Sequence, residues 1–434
     1  MVASLFVTGS VQMKLTGIRC SRFKKFKEPI SLPIAPLTII IGKNGSGKSV
    51  VSRLPMLIAG SVSAAAGGPV DLNAGGIWHA RSLHDLVFER TGRPFGLGAT
   101  VANSDRCISF DVELLYVSET KSIAIVDFSL SIDDVQVLNA ALESYENIYD
   151  ENRAYNVVIG DAAYRGVLEW QGLLPNLNCA VFIEQDATKI IEAIEQLRSA
   201  IRPPSYLGPF RAEIAGRGRY PHQRVLGLGP KGESTIDFLA DDKLRNSGKV
   251  CDAVESWFKG TLGGGIDTDV SGDAPMVQVA PATGGIRLDF SDTGAGYSQS
   301  LPVVVQNLAV QNGSLDSPML IVEQPELHLH PAAHGAIADL YIESALHGGV
   351  CFVETHSEQF ISRVRRRIAE GKISEACVQL VSIDHVDDED LPVDPVRTIT
   401  FDKRGQPSSW PHGVFEEALD DIRQLRAAAR DRGL

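Results

Sequence analysis

Eight consecutive residues, Gly42-Lys43-Asn44-Gly45-Ser46-Gly47-Lys48-Ser49, limit what this chain can fold into more than any other feature. They fit the spacing G-x-x-x-x-G-K-[ST] in full. They follow an apolar, β-branched run at residues 37–41, which suits a buried strand of a parallel sheet. The glycines permit backbone angles that aim successive N–H groups at phosphate oxygens. A helix starting where the loop ends adds partial positive charge. Strand, loop and helix are therefore expected around a nucleotide polyphosphate. Lys48 would reach the β- and γ-phosphates and Ser49 would ligate Mg2+, while Lys43 and Asn44 contribute backbone. Pro55 is expected to kink or end the helix early.

A second apolar run, residues 319–322, ends in Glu323 and Gln324. An acid at the end of a buried strand can hold Mg2+ opposite Ser49, and Glu323 takes that role here. Glu326 follows, then His328, His330 and His334. The H-x-H pair with a third histidine admits a metal site; loop packing is the competing reading. Upstream, Asp292-Thr293-Gly294-Ala295-Gly296-Tyr297-Ser298-Gln299 precedes an expected helix at residues 297–311. Its glycines allow close backbone approach, and Ser298 and the helix N-terminus offer donors to a phosphate. A third buried run, residues 350–353, leads through Glu354 and Thr355 to His356 and Ser357. A neutral imidazole at His356 could hydrogen-bond a γ-phosphate or an attacking water.

Strands alternating with helices through residues 297–370 predict a parallel α/β sheet. Between residues 60 and 265 the signals are mixed: strands near 107–115 and 122–131, and helical patterns at 134–146, 187–201 and 235–260. Nothing there sustains a heptad array, so no long coiled-coil arm is expected. Residues after 375 read as two strands, a loop from Trp410 to Phe415 and an amphipathic helix at 416–431.

A chain of 434 residues, 44% hydrophobic with formal charge −13, reads as an ordinary globular protein rather than a nonspecific nucleic-acid coat. Two arginine clusters could still contact DNA or RNA: Arg202, Arg211, Arg217, Arg219 and Arg224, and Arg363, Arg365, Arg366 and Arg367. Lys14, Arg19, Arg22, Lys24, Lys25 and Lys27 could extend that surface. Salt bridges to the many acids are the alternative. Six scattered cysteines without a C-x-x-C pair favour reduced thiols and a cytoplasmic setting. No apolar run is long enough to span a membrane, and the start lacks the features of a signal peptide.

The segment from Glu323 to Pro331, Glu-Gln-Pro-Glu-Leu-His-Leu-His-Pro, resembles the extended Walker B of the OLD-like ABC-class ATPases of prokaryotes, relatives of RecF and SMC-type heads. Residues 292–299 resemble the ABC signature in its OLD-like form, and residues 353–358 the switch-histidine segment. Residues 76–86, and 206–211 with Arg217, Arg219 and Tyr220, resemble two further segments of that group. The resemblance implies an α/β ABC-type P-loop fold. It would have a mostly parallel sheet core, an antiparallel β subdomain and a large helical or mixed mid-chain insertion. The expected division is a leader at 1–12, an N-lobe at 13–60, the insertion and linker at 61–265, a C-lobe at 266–375, and terminal strands and helix at 376–434.

By the same resemblance, Gly294, Gly296, Ser298 and Gln299 of one subunit would cover the γ-phosphate bound by another, in an ATP-linked homodimer. The ABC position for a water-polarising glutamate is Gln324 here. An amide can orient water but not take its proton, which implies slow hydrolysis or help from Glu326 or His356. The residues after His356 are too few for a TOPRIM nuclease domain. The implied role is therefore an Mg-ATP-driven switch for a separate effector, a nuclease or toxin, in prokaryotic defence. A RecF-like DNA-maintenance factor and an ATP-holding scaffold are the alternatives.

Overall fold

Three apolar runs become neighbouring strands because each is buried on both faces. The chain opens with β1 (Lys14–Ser21), β2 (Ile30–Pro33) and β3 (Leu37–Gly42), and the glycine loop then enters α1 (Lys48–Val62). A long β region follows: β4 (Phe95–Ala102), β5 (Cys107–Val117), β6 (Ser122–Ile132), β7 (Val135–Leu142), β8 (Ala154–Ile159), β9 (Ala162–Val167), β10 (Glu169–Gln171) and β11 (Leu174–Asn176). Then come α2 (Gln185–Ala200), β12 (Ser205–Leu207), α3 (Thr235–Arg245), α4 (Lys249–Leu262), β13 (Gly264–Asp269), β14 (Met276–Pro281) and β15 (Leu288–Asp289). The last stretch holds α5 (Ala295–Gln311), β16 (Leu320–Glu323), α6 (Pro331–Leu346), β17 (Cys351–Glu354), α7 (Glu358–Ala369), β18 (Val378–Ile383) and β19 (Val396–Ile399). The computed structural model describes residues 12–150, 152–177, 185–214, 216–281, 285–383 and 395–409. Residues 1–11, Cys179, the acidic run 387–390, and the expected terminal loop and helix from Trp410 onward lie outside the described residues.

One sheet has the order β12-β16-β17-β3-β18-β19, parallel throughout except for the β18–β19 pair. Side chains alternate between its faces. Ile40, Ile321 and Phe352 join one apolar core, and Ile39, Val322 and Val353 the other. Double burial explains why these strands read as unbroken apolar runs. The first core is closed by an eight-stranded antiparallel sheet, β2-β1-β4-β5-β6-β7-β8-β9, which packs with α1 and α2. The second is closed by α3 to α7 and the small β13-β14-β15 sheet.

Several expectations need correction. The region expected as a helical or mixed insertion is mainly strand from residue 95 to 176 and continues the sheet begun by β1 and β2. Residues 134–146, which read as helical, contain β7. Ile132 pairs with Val135, so Asp133-Asp134 is a two-residue hairpin turn, with φ of 52° and 64°. That turn wants positive φ at both positions and normally advertises itself as Asn-Gly. Two aspartates hid it. Pro55 does not end α1, which continues to Val62. The turn beyond it buries Met56, Leu57 and Ile58 almost completely, and that burial outweighs the roughly 3 kcal/mol a mid-helix proline costs. The helical pattern at 235–260 is two helices, broken where Ser247 and Gly248 take positive φ; Asp242 caps the second by accepting from Val250 N and Cys251 N. Among the described residues no helix is long and apolar enough to cross a membrane, and the five described cysteines are free thiols.

Candidate nucleotide-binding site

Parallel order brings the C-terminal ends of β3, β16 and β17 to one edge, where ligands of open α/β sheets bind. The loop from Gly42 to Ser49 turns there under tight limits. Gly42 has φ 150°, and a Cβ on it would fall on the Ile383 carbonyl oxygen. Gly47, at φ 108°, caps α1, and a Cβ there would lie 2.8 Å from Phe26 Cζ and Lys25 Cδ. Glycine is thus needed at both positions. Lys48 is buried, and its Nζ donates to the Gly42 and Lys43 carbonyls at 2.9 and 2.8 Å. Burial lowers its pKa, opposed by Glu354 and reinforced by the Lys25 charge. Lys25, from the β1–β2 connection, donates to the Gly45 carbonyl. Ser46 is fully buried with its hydroxyl unpartnered among the described residues.

A cleft of about 450 Å³ lies over this loop, lined by Asn44, Gly45, Gly47, Lys48, Ser49, Glu323, Gln324, Glu354 and His356, with Lys25, Pro209 and Phe210 beside them. Phe210 is 82% exposed on its lip. Glu323 and Glu354 are register partners on β16 and β17. Their surroundings differ. Glu323 is gripped by Arg53 of α1, with Nε to Oε1 at 2.5 Å and Nη2 to Oε2 at 2.8 Å, and Oε1 also accepts from the Tyr206 hydroxyl at 2.7 Å. Burial and the Glu323 charge push the Tyr206 phenol up, so it stays a donor. Glu354 accepts from the Ser49 hydroxyl at 3.0 Å and the Ser52 hydroxyl at 3.3 Å. Burial, then the neighbouring Glu323, raises its pKa. The acid expected opposite Ser49 was Glu323; the carboxylate actually in contact with Ser49 is Glu354.

Gln324 occupies the left-handed region at φ 49°. Its N–H donates to the Glu354 carbonyl at 2.7 Å and its own carbonyl accepts from buried Arg211 at 3.0 Å, so the backbone clamp holds the strained angle. Glu326 is buried and does not line the cleft. One of its oxygens accepts from Thr355 Oγ1 at 2.7 Å and His356 N at 3.0 Å, which ties it to the segment that follows β17. His356 opens onto the cleft, and its partial burial and the Lys48 charge hold it below its ordinary pKa. Of the other histidines in this stretch, His328 is exposed with φ 65°. His330 caps α6 through Nδ1, and His334 bonds Ser357 Oγ at 2.8 Å and the Leu329 carbonyl at 3.2 Å. Among the described residues no group of three or more His, Cys, Asp or Glu is placed to hold a metal on its own.

Gly294 caps α5, Gly296 and Ser298 lie in its first turn, and Gln299 follows. None of the four lines the cleft of its own chain. Gly296 sits against the next segment instead, where a Cβ would lie 3.2 Å from the His328 carbonyl. The Ser298 hydroxyl donates to the Ala295 carbonyl at 3.2 Å.

The glycine cradle and buried lysine suit a polyphosphate. Ser49 and two carboxylates are hard oxygen donors of the kind that, with substrate phosphates, hold Mg2+. No protein-family model matches the sequence, and no curated protein matches it. Among solved structures, the chain is similar to an SMC head bound to the C-winged helix domain of ScpA. That match has 12% identity and a TM-score of 0.52, and covers 89% of this chain and 98% of that one. An SMC head domain from Thermotoga maritima matches at 11% identity and TM-score 0.42, over 90% of this chain and 99% of the other. The fold is similar to an SMC head.

Within this SMC-head-like fold, sequence reading passed over Glu354, Arg53 and Lys25 as site residues. Glu354 carried the same signal as Glu323, an acid ending a buried run. Arg53 and Lys25 carried none, since only tertiary contact brings them to the cleft. The arginine clusters are largely committed elsewhere. Arg211 is buried, Arg202 pairs with Asp316, Arg363 and Arg367 with Asp339, and Arg366 with Glu370, while Arg365 bonds the Gly405 carbonyl. The cluster at residues 363–367 is therefore largely ion-paired, whereas Arg217, Arg219 and Arg224 are exposed.

Proposed function

We propose that this chain binds ATP with Mg2+ over residues 42–49 and hydrolyses it slowly, acting as an ABC-class nucleotide switch. The observation that carries the reading is the meeting, in one cleft, of the glycine loop, Lys48, Ser49 and two strand-end carboxylates from distant sequence. Lys48 would turn from the carbonyls of its own loop to the phosphates. Mg2+ would neutralise phosphate charge and fix the polyphosphate's orientation. Gln324, held by its backbone at the mouth of the cleft, and His356, neutral at physiological pH, can orient a water. Neither is a strong base, which is why turnover is expected to be slow.

A homodimer is the assembly this reading favours. The signature residues Gly294, Gly296, Ser298 and Gln299 do not line their own cleft, which leaves them to serve a second copy's phosphates. Control of a separate effector, a nuclease or toxin, rests on the resemblance of residues 323–331 and 353–358 to OLD-like ATPases. The pairing of Arg363, Arg366 and Arg367 with acids speaks against that cluster serving as a DNA clamp. The deciding measurement is equilibrium binding of a fluorescent ATP analogue with Mg2+. Binding by the native chain and its loss in Lys48→Ala are expected. Equal affinity in the variant would remove the assignment of this loop.

A further inference from the structure

We propose that Glu354, not Glu323, is the carboxylate that holds Mg2+ opposite Ser49, and that Arg53 commits Glu323 to the wall of the cleft. This rests on reading the cleft as a Mg-nucleotide site.

Strand order is the first argument. β17 lies between β16 and β3, and Glu354 is a register partner of Ile40 on β3 itself. Glu323 stands one strand further out, roughly 5 Å more from the strand that leads into the loop. The second argument is occupancy. Both oxygens of Glu323 accept charged hydrogen bonds from Arg53, and Oε1 accepts a further one from Tyr206. Turning Glu323 toward a metal would break both Arg53 hydrogen bonds and leave the Tyr206 hydroxyl without its acceptor.

Glu354 is bound differently. Its donors are the neutral hydroxyls of Ser49 and Ser52, and among the described residues no lysine or arginine forms an ion pair with it. The Lys48 ammonium points instead at the carbonyls of Gly42 and Lys43. A buried carboxylate supported only by hydroxyls, one of them the expected metal ligand, is completed by a hard cation. Arg53 then has a definite task. By neutralising Glu323 it leaves one net negative carboxylate at the strand ends, matched to a metal that also takes phosphate oxygens.

The test is titration of Mn2+, followed by electron paramagnetic resonance, into the full chain with a non-hydrolysable ATP analogue. Metal-free binding of the same nucleotide is measured alongside. Glu354→Gln is expected to weaken Mn2+ at least tenfold while metal-free nucleotide affinity holds or rises. Glu323→Gln should weaken Mn2+ by less than threefold. Glu354→Asp keeps the charge and guards against misfolding as an explanation; it should retain affinity nearer to the native value than Glu354→Gln. A loss with Glu323→Gln equal to or greater than that with Glu354→Gln, or native affinity in Glu354→Gln, overturns the assignment. A native chain that takes up no nucleotide overturns the Mg-nucleotide reading itself, a different result from a misassigned carboxylate.

Discussion

Replacing Arg53 by methionine should destabilise the protein, and replacing Glu323 as well should return part of the loss. Glu323 is only 3% exposed, and Arg53 covers both of its oxygens. Removing one member of a buried pair typically costs about 3–5 kcal/mol, because the other charge stays buried. Arg53 keeps 31% of its side chain in solvent, and Tyr206 remains on Glu323. The lower end, about 3 kcal/mol, is therefore expected for Arg53→Met. Glu323→Gln leaves a guanidinium that can reach water and an amide that can still accept from it, so about 1–2 kcal/mol is expected. The double variant buries neither charge and should lose about 2 kcal/mol, short of the singles' sum by 2 kcal/mol or more. Equilibrium urea unfolding of the four proteins measures this cycle. Additivity within about 0.5 kcal/mol would refute the claim that the two side chains act as one buried unit.

Two further outcomes follow from the same structure. His79 is 6% exposed, and burial, with the Lys24 and Arg53 charges, holds its pKa down to about 4 while its ring bonds the Ala74 carbonyl. Because the folded value lies below the unfolded one near 6.5, the stabilising contribution is complete above about pH 6.5 and is lost as pH falls toward 4. By pH 5 the loss is about 2 kcal/mol, so His79→Gln should flatten the acid side of a stability profile; an unchanged profile would exclude His79 as its source. Gln324→Glu should raise the rate of phosphate release at unchanged ATP affinity, since a carboxylate can take the proton that an amide cannot. An unchanged rate would place the limiting step elsewhere.

The strands at residues 37–42, 320–323 and 351–354 were legible because burial on both faces demands apolar residues at every position, whatever the neighbours. The glycine loop was legible because its backbone angles exclude most other residues. The β7 hairpin was not, because Asp133-Asp134 makes a turn that local statistics assign to Asn-Gly. Strand β7 also alternates weakly, with Leu138 and Ala140 inward and little contrast outside. Glu326 holds a motif position, and its carboxylate, three residues past the strand end, bonds Thr355, a contact no spacing rule reveals.

The sequence by itself determined that a buried strand would run through a glycine turn into a helix, and that acids would end the neighbouring buried strands. Those are local facts, set by side-chain sterics and by what a buried strand excludes. Which acid meets Ser49, which is held by Arg53, and which arginines are already spent on acids were decided only in the tertiary structure. Strand order and the approach of α1 to β16 and β17 place groups some 270 and 305 residues apart within hydrogen-bond reach. The energy of a carboxylate depends on its donors and its burial, and neither is written in the residue that carries it.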